Sequence, residues 1–435
     1  MRAEKSFGCL AAATVAIVAI AACTPIVRRD ASSDGSGGSG TGGSDPSGGV
    51  TGTGGTTGSG GTTGSGGATG SGGATGMGGV SDTGGTTVSG GTTSSGGTVG
   101  TGGTTIPGGT TGGGLGGTTS TVCGVSTSYG WASTQALMDP VSDGSHSLVG
   151  IKAPTIVYYN SRYHVFATVV NSAGSLGMQY VSFADWTNAG SATVDYMDNN
   201  SGFAGSRSQP QVFNFKSKNT WYLITQSGAP AYSTNADISK TPGWTKPANF
   251  FASTPAVVTQ NAGTGGIGWT DFWIICDSTN CHMFFTNQKG YFFRSQTTVG
   301  NFPSGFSDPV IVMQSSYLVE GGRIYKVNGS YLLLVEGTGS GGRYIGAWSA
   351  TALDGKWTAL AETEANPFAG AINATYAGTK WTKDIGHGEL VRSTYDETMT
   401  VDNCNMRYFY AGKDPFSTAK AEPYPWKLGL LVRSK

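Results

Sequence analysis

Asp271, Glu320 and His387 are residues of this chain whose types and setting suit acid–base chemistry. Each stands at the opening of a strand–turn–strand unit: Trp269-Thr270-Asp271-Phe272, Val319-Glu320-Gly321 and Asp384-Ile385-Gly386-His387. Two further units open at Lys152-Ala153-Pro154 and Gln209-Pro210-Gln211. If the openings converge, two carboxyls and an imidazole share one pocket. A pair of carboxyls can split a bond by hydrolysis, one protonating the leaving oxygen while another draws a proton from water. Ala153 holds the place where a third acid is expected, and a methyl group accepts no proton.

The elements that must position these residues read as strands. Pro154–Tyr159 turns at Asn160-Ser161 into Tyr163–Thr168, and the pattern returns four times: Gln211–Phe215 with Trp221–Thr225, Phe272–Ile275 with His282–Phe285, Arg323–Val327 with Tyr331–Val335, and Leu390–Arg392 with Met406–Tyr410. These runs are rich in β-branched and aromatic residues and are bounded by turn formers. No segment sustains a 3.6-residue period over a helical length, so the domain is all-β. The units start roughly fifty to seventy residues apart, a period of blades or stacked repeats. Five equivalent antiparallel units close most simply as a five-bladed β-propeller, which leaves only short edges. A β-sandwich is the alternative, but it gives no reason for polar residues at one end of every first strand.

The rest of the 435-residue chain divides sharply. Residues 1–23 have the form of a signal peptide: basic Arg2 and Lys5, an apolar run from Leu10 to Ile20, and small residues before Cys23. This ending resembles a bacterial lipobox, with cleavage before Cys23 and acylation at that residue; ordinary signal cleavage with Cys23 incidental is the other reading. Residues 24–120 are a Gly/Ser/Thr-rich segment that carries most of the excess among 73 glycines and includes a hexad repeat from Gly55 to Gly78. It offers too little apolar surface to offset the entropy of ordering, so it reads as a disordered tether, about 50 Å in root-mean-square reach. The expected location is therefore outside the cell, lipid-anchored to a bacterial membrane, or else secreted and soluble. Residues 121–435 form the folded domain, read as a monomer.

Formal charge is zero and charged residues make up 12% of the chain, so the basic patch of a nucleic-acid partner is lacking. Cysteine usage fits export. Cys123 opens the domain and Cys404 lies in its last unit, so a bridge between them would close the ring like a clasp. Cys276 and Cys281 flank a turn and are placed to pair across a hairpin. Neither pair has the spacing of a C-x2-C metal site.

With these residues in view, the domain resembles glycoside hydrolase family 62, secreted α-L-arabinofuranosidases that remove arabinose from xylan. The likeness runs from about Tyr129-Gly-Trp131 to Leu428-Gly-Leu430 and is carried by Ser182-Phe-Ala-Asp-Trp186, Ala231-Tyr-Ser-Thr-Asn235, Asp271-Phe-Trp-Ile-Ile-Cys276, Phe292-Phe-Arg-Ser-Gln-Thr297, Asn366-Pro-Phe-Ala-Gly370 and Trp381-Thr-Lys-Asp384. The resemblance implies a five-bladed propeller and an inverting mechanism acting on arabinoxylan. It makes Glu320 the general acid and Asp271 the helper carboxylate that raises the acid's pKa. The general base should be the aspartate of a Lys-Asp-Pro motif, which this chain replaces with Lys152-Ala153-Pro154. Asp143, the nearest upstream acid, is a weak candidate to substitute for it. Lys152, Gln211 and Arg407 match positions that face the sugar; read without the family, Lys152 is equally a rim charge and Arg407 a structural fork. His387 matches a residue that helps hold a structural calcium ion, a satisfied structural histidine being the other reading. His146, His164 and His282 read as structural or surface residues. Two functions follow: an arabinofuranosidase that works despite Ala153, or a catalytically impaired propeller that binds arabinose-decorated glycan at the cell surface.

Overall fold

The computed structural model describes residues 123–203, 205–262, 268–415 and 424–434. Cys23, the signal and the tether lie outside the described residues. The architecture is nearly all-β: five sheets of four or five strands, each a blade, arranged as a five-bladed propeller. The first strands of the blades, which line the axis, are Leu148–Tyr159, Ser208–Phe215, Thr270–Cys276, Glu320–Val327 and Gly386–Leu390. Each pairs antiparallel with the strand that follows it. Blades one to four are built from consecutive strands, while the fifth is completed by the start of the domain. There Trp131–Ser133 lies antiparallel to Trp426–Arg433, with Trp131 opposite Arg433 and Ser133 opposite Leu431. The ring is thus closed by hydrogen bonds between the two ends of the domain, a strand exchange the turn grammar does not reveal.

The apolar core lies between the blades. Val157, Phe166 and Met178 of the first blade meet Val212 and Leu223 of the second, and Ile151, Val165 and Val181 meet Phe409, Leu428 and Leu430 of the fifth. A larger cluster joins blades two to five around Trp273, Phe284, Phe292 and Tyr325. Full burial of such side chains stabilises the fold by about 1.5–3 kcal/mol each. Because inner strands are covered on both faces, they read as unbroken apolar runs; every residue of Thr270–Cys276 is buried.

Charges occupy the middle of the axis. Glu389 pairs with Arg392 at 2.7 Å and with Arg323 at 3.4 Å, all three buried. Arg392 donates to the carbonyls of Ile156 and Val212, and Glu389 accepts the Ile156 N–H. This network joins blades one, two, four and five below the openings of the inner strands.

Both disulfides are formed, Cys123–Cys404 and Cys276–Cys281. They flank the segment from Ser393 to Cys404, which crosses the lower ends of the inner strands. Asn214 N–H donates to Tyr395 O at 2.9 Å, Cys276 N–H to Glu397 O at 2.9 Å and Lys326 N–H to Met399 O at 3.1 Å, stitching blades two, three and four in turn.

Candidate active site

The pocket-forming residues are placed by one backbone device repeated around the ring. Every inner strand breaks register with its neighbour near its upper end: between Lys152 and Thr155, Ser208 and Gln211, Thr270 and Trp273, Glu320 and Arg323, and Gly386 and Glu389. Such bulges bend a strand and re-aim its side chains. The residue after the break is left-handed in four blades: Ala153 at φ 47°, Gln209 at 55°, Asp271 at 60° and Gly321 at 77°. Ala153 and Asp271 are therefore equivalent positions on the first and third blades. Left-handed backbone is costly for alanine, while aspartate adopts it more readily. Glycine suits position 321 on two counts, its left-handed φ and a Cβ that would crowd His387 Nδ1 at 3.1 Å.

The bulges are held from the preceding blade. Thr168 Oγ1 accepts the Gln209 N–H at 2.9 Å, Gln226 Oε1 accepts the Asp271 N–H at 2.9 Å, and Glu336 Oε2 accepts the His387 N–H at 2.5 Å. These three acceptors face Lys152, Ser208 and Glu320 across their own blades. At the fourth junction Asp271 Oδ2 takes this part, accepting the Gly321 N–H at 3.0 Å. At the fifth, the residue opposite Gly386 is Ala411, whose side chain has no acceptor.

Asp271, Glu320 and His387 are brought together at the upper end of the axis. Asp271 is buried, with Oδ1 at 3.7 Å from His387 Nδ1 and no hydrogen-bond partner for that oxygen. Burial, and then the charge of Glu320, push its carboxyl up to about 7. Glu320 Oε1 accepts from Arg343 Nη1 at 2.8 Å and Oε2 from Gln288 Nε2 at 2.8 Å. Burial alone would raise the Glu320 carboxyl, but Arg343, Gln288 and Lys152 together hold it below the ordinary glutamate range. The carboxylates are thus split, but in the sense opposite to that expected: the charge repulsion raises Asp271 rather than Glu320, because the guanidinium lies on Glu320. The partner of Glu320 is Arg343, while Arg323 is committed to Glu389.

Lys152 reaches the same field, its charge acting on Asp271, Glu320 and His387. Ala153 is buried, 1% exposed. Asp143 does not join the cluster. Its Oδ1 accepts from the N–H groups of Ser145 and His146 and contacts His146 Nδ1, while His146 Nε2 meets Asp198 at 3.1 Å. Among the other histidines, His164 bonds Tyr180 and His282 bonds Asp277, both structural.

Two expected sugar contacts are corrected. Gln211 is fully buried, and its amide donates to Ile274 O at 2.6 Å and accepts from Ile274 N–H at 2.7 Å, so it stitches blade two to blade three. Arg407 belongs to the other end of the axis: Gly386 pairs with Ala411, and Arg407 lies four residues further down that strand, ~13 Å away. There it donates to Tyr163 Oη at 3.1 Å and lies against the Tyr163 and Trp186 rings. The structural fork is the reading that fits.

A calcium ion held at His387 would find one unpartnered carboxylate oxygen nearby, Asp271 Oδ1, and would need most of its ligands from elsewhere. Burial, then Arg323, Lys152 and Arg343, press the imidazole well below its usual pKa, while the nearest carboxylates are Asp271, with Oδ1 at 3.7 Å from Nδ1, and Glu336, which accepts the His387 N–H. Among the described residues no three His, Cys, Asp or Glu side chains gather as a metal cage, whereas calcium takes six to eight oxygens. No step below runs through a metal.

Sequence reasoning missed Gln288, Arg343, Glu336 and Gln226. Glu336 had a signal: one acid closing the apolar run Leu332-Leu333-Leu334-Val335. Arg343 and Gln288 sit in or beside Gly-containing turns, where pattern says nothing of direction.

The model of glycosyl hydrolase family 62 matches residues 130–432. Alpha-L-arabinofuranosidase C of Cellvibrio japonicus is 42% identical over 327 residues, covering 73% of this chain and 49% of that protein, so the chain spans about half the length of this curated relative. The solved catalytic domain of a Coprinopsis cinerea family 62 alpha-L-arabinofuranosidase is 44% identical, with a TM-score of 0.69 over 71% of this chain and 98% of its own. A family 62 hydrolase solved in complex with xylotriose is 40% identical, with a TM-score of 0.68 and the same 71% and 98% coverage. With its bulged inner strands, its paired acids and a match across the whole propeller, the chain belongs to glycosyl hydrolase family 62.

Proposed function

We propose that the propeller is an α-L-arabinofuranosidase that removes non-reducing-end arabinose side chains from arabinoxylan with inversion. The observation that carries this reading is the convergence of Asp271 and Glu320 at one end of the axis, in a chain whose family relatives bear that activity in their names. In the reaction the protonated form of Glu320, the minor form while Arg343, Gln288 and Lys152 hold this carboxyl low, gives its proton to the departing xylose oxygen as the C1–O bond breaks. Water adds to the opposite face of the arabinose and gives up a proton to solvent, from which Glu320 is reprotonated, so one glycosidic bond and one water become two hydroxyls. Asp271, fixed by Gln226 and bound to Gly321 N–H, braces the strand opening that carries Glu320.

The proton from water has no acceptor at Ala153. A positioned base is worth about 10²–10⁴-fold, so the reaction should run slowly in this chain. That same residue favours a second reading, a propeller that holds arabinose-decorated glycan at the surface without cutting it. Attachment through Cys23, an extracellular site of action and a monomeric state belong to the proposal as well.

The test is incubation with arabinoxylan, following the released sugar by proton NMR. Free arabinose appearing first as the β-anomer supports inverting hydrolysis. Tight binding of arabinoxylan oligosaccharides with no release would select the second reading.

A further inference from the structure

Glu336 is a carboxylate inside the wall of the fourth blade, 1% exposed, and the reaction above does not use it. It is the cross-strand partner of Glu320. Between the two acids sits Arg343, whose Nη1 meets Glu320 Oε1 at 2.8 Å and also contacts Glu336 Oε1. The guanidinium is steadied over the Trp426 ring at 5.3 Å. Glu336 spends its second oxygen on the His387 N–H at 2.5 Å, which fixes the carboxylate against the fifth blade. One cation therefore serves two acids.

We propose that Glu336 is a positioning residue for proton delivery: it fixes Arg343 and opposes its charge, so that Glu320 holds a proton more readily than it would beside Arg343 alone. The inference rests on Glu320 being the acid. Its physical basis is the field around Glu320. A cation beside a carboxylate favours the ionised form, which cannot protonate a leaving group. Facing Glu320 are Arg343 and Glu336 from its own blade, Asp271 and the Gln288 amide from the third, and Lys152 from the first; Arg323 and His387 stand behind Asp271. Of these, Glu336 is the one that competes for the guanidinium directly. It does so from inside the wall, where salt and substrate do not reach it.

Glu336→Gln keeps the shape and an oxygen for the His387 N–H but no longer opposes the guanidinium, so Arg343 acts on Glu320 alone. Kinetics are best measured with Ala153→Asp present, on aryl arabinofuranosides with poor and with activated leaving groups. The alkaline limb of the poor-leaving-group profile should move to lower pH by about one unit, with roughly a tenfold rate loss at neutral pH and little change on activated substrates. Adding Arg343→Gln should return the limb, since both charges are then gone. A readout free of turnover is the carbon-13 carboxyl titration of Glu320 in the unmutated chain, assigned by its loss in Glu320→Gln. It should move down in Glu336→Gln, up in Arg343→Gln, and show no further response to Glu336→Gln once Arg343 is replaced. An unmoved titration in folded Glu336→Gln overturns the proposal, as does a shift that persists without Arg343. Should Glu320→Gln leave poor leaving groups as fast as before, the acid assignment itself fails, an outcome the titration keeps separate.

Discussion

At the lower end of the axis, the backbone N–H groups of Asn214, Cys276 and Lys326 are matched as they are buried, each meeting a carbonyl of the Ser393–Cys404 segment, and two disulfides flank it. At the upper end the matching is incomplete. Asp271 Oδ1 is buried without a hydrogen-bond partner, Ala153 is left-handed, and Arg343 is shared by two acids. Both ends belong to the same inner strands, so fold alone does not demand the difference. The proposed function accounts for it: unmatched charge stays where a substrate could complete it, and the other end is stitched by backbone hydrogen bonds. Lower-end substitutions should therefore change stability and leave turnover intact, whereas upper-end ones should change turnover and reach stability only through the buried charge they alter.

Ala153→Asp sharpens the contrast most. It places a carboxylate on the backbone geometry that Asp271 already uses, at the opening of the first blade. Arabinose release from arabinoxylan should rise at least about a hundredfold, the usual worth of a positioned base. In the unmutated chain, azide or formate should speed cleavage of activated substrates by occupying the space of the missing side chain. If the aspartate gains nothing while oligosaccharide binding persists, the glycan-binding reading replaces the enzymatic one.

Removing the lower clasp tests the other half. Cys123→Ser with Cys404→Ser frees a link spanning 281 residues and should cost about 2–4 kcal/mol, roughly 5–10 °C in melting temperature. Kinetic constants at a temperature where the protein stays folded should not move. A changed kcat with an unchanged melting temperature would invert the assignment of the two ends.

Asp271→Asn trades one end's property for the other's. Burial and Glu320 raise the Asp271 carboxyl to about 7 when folded, above its unfolded value near 4. The folded state therefore binds this proton more tightly than the unfolded state does. Stability from it is full below about pH 4 and is lost as pH rises through about 7. Asparagine carries no such charge, so the fall in melting temperature between pH 5 and pH 8 should shrink by a few degrees while turnover drops. Parallel curves for the two proteins would show that Asp271 is not strained by its site.

The blades were legible because inner strands are buried on both faces and write continuous apolar runs, as Phe272–Ile275 and Tyr331–Val335 do. Asp271, Glu320 and His387 were legible because polar residues at equivalent points of a repeat must converge when the ring closes. What stayed hidden depends on contacts between distant segments. The strand Trp131–Ser133 joins the last blade from 295 residues away, counting from Trp131 to Trp426, and three residues carry no topology of their own. Gln211 matched a motif, yet its amide faces a neighbouring backbone, because one residue along a strand reverses the side-chain direction. The sign of the carboxylate splitting needed the position of Arg343, which lies 23 residues beyond Glu320 on the third strand of its blade.

Arg407→Ala gives the smallest expected effect and the strictest separation of the ends. The family resemblance set this residue against the sugar, whereas it packs with Tyr163 and Trp186 near the lower end, its Nη1 donating to Tyr163 Oη at 3.1 Å. Losing a half-buried guanidinium from two aromatic faces should cost about 0.5–2 kcal/mol, visible as a slight fall in melting temperature. KM for arabinoxylan and for a small aryl arabinofuranoside should both stay at the unmutated values, because nothing at the pocket touches this side chain. Lys152→Ala is the matched control, since its charge acts on both pocket carboxyls, and it should change kcat/KM on both substrates. A several-fold rise in KM confined to the polymer in Arg407→Ala would mean that a glycan chain reaches the lower end, and the division between a stitched end and a reactive one would no longer hold.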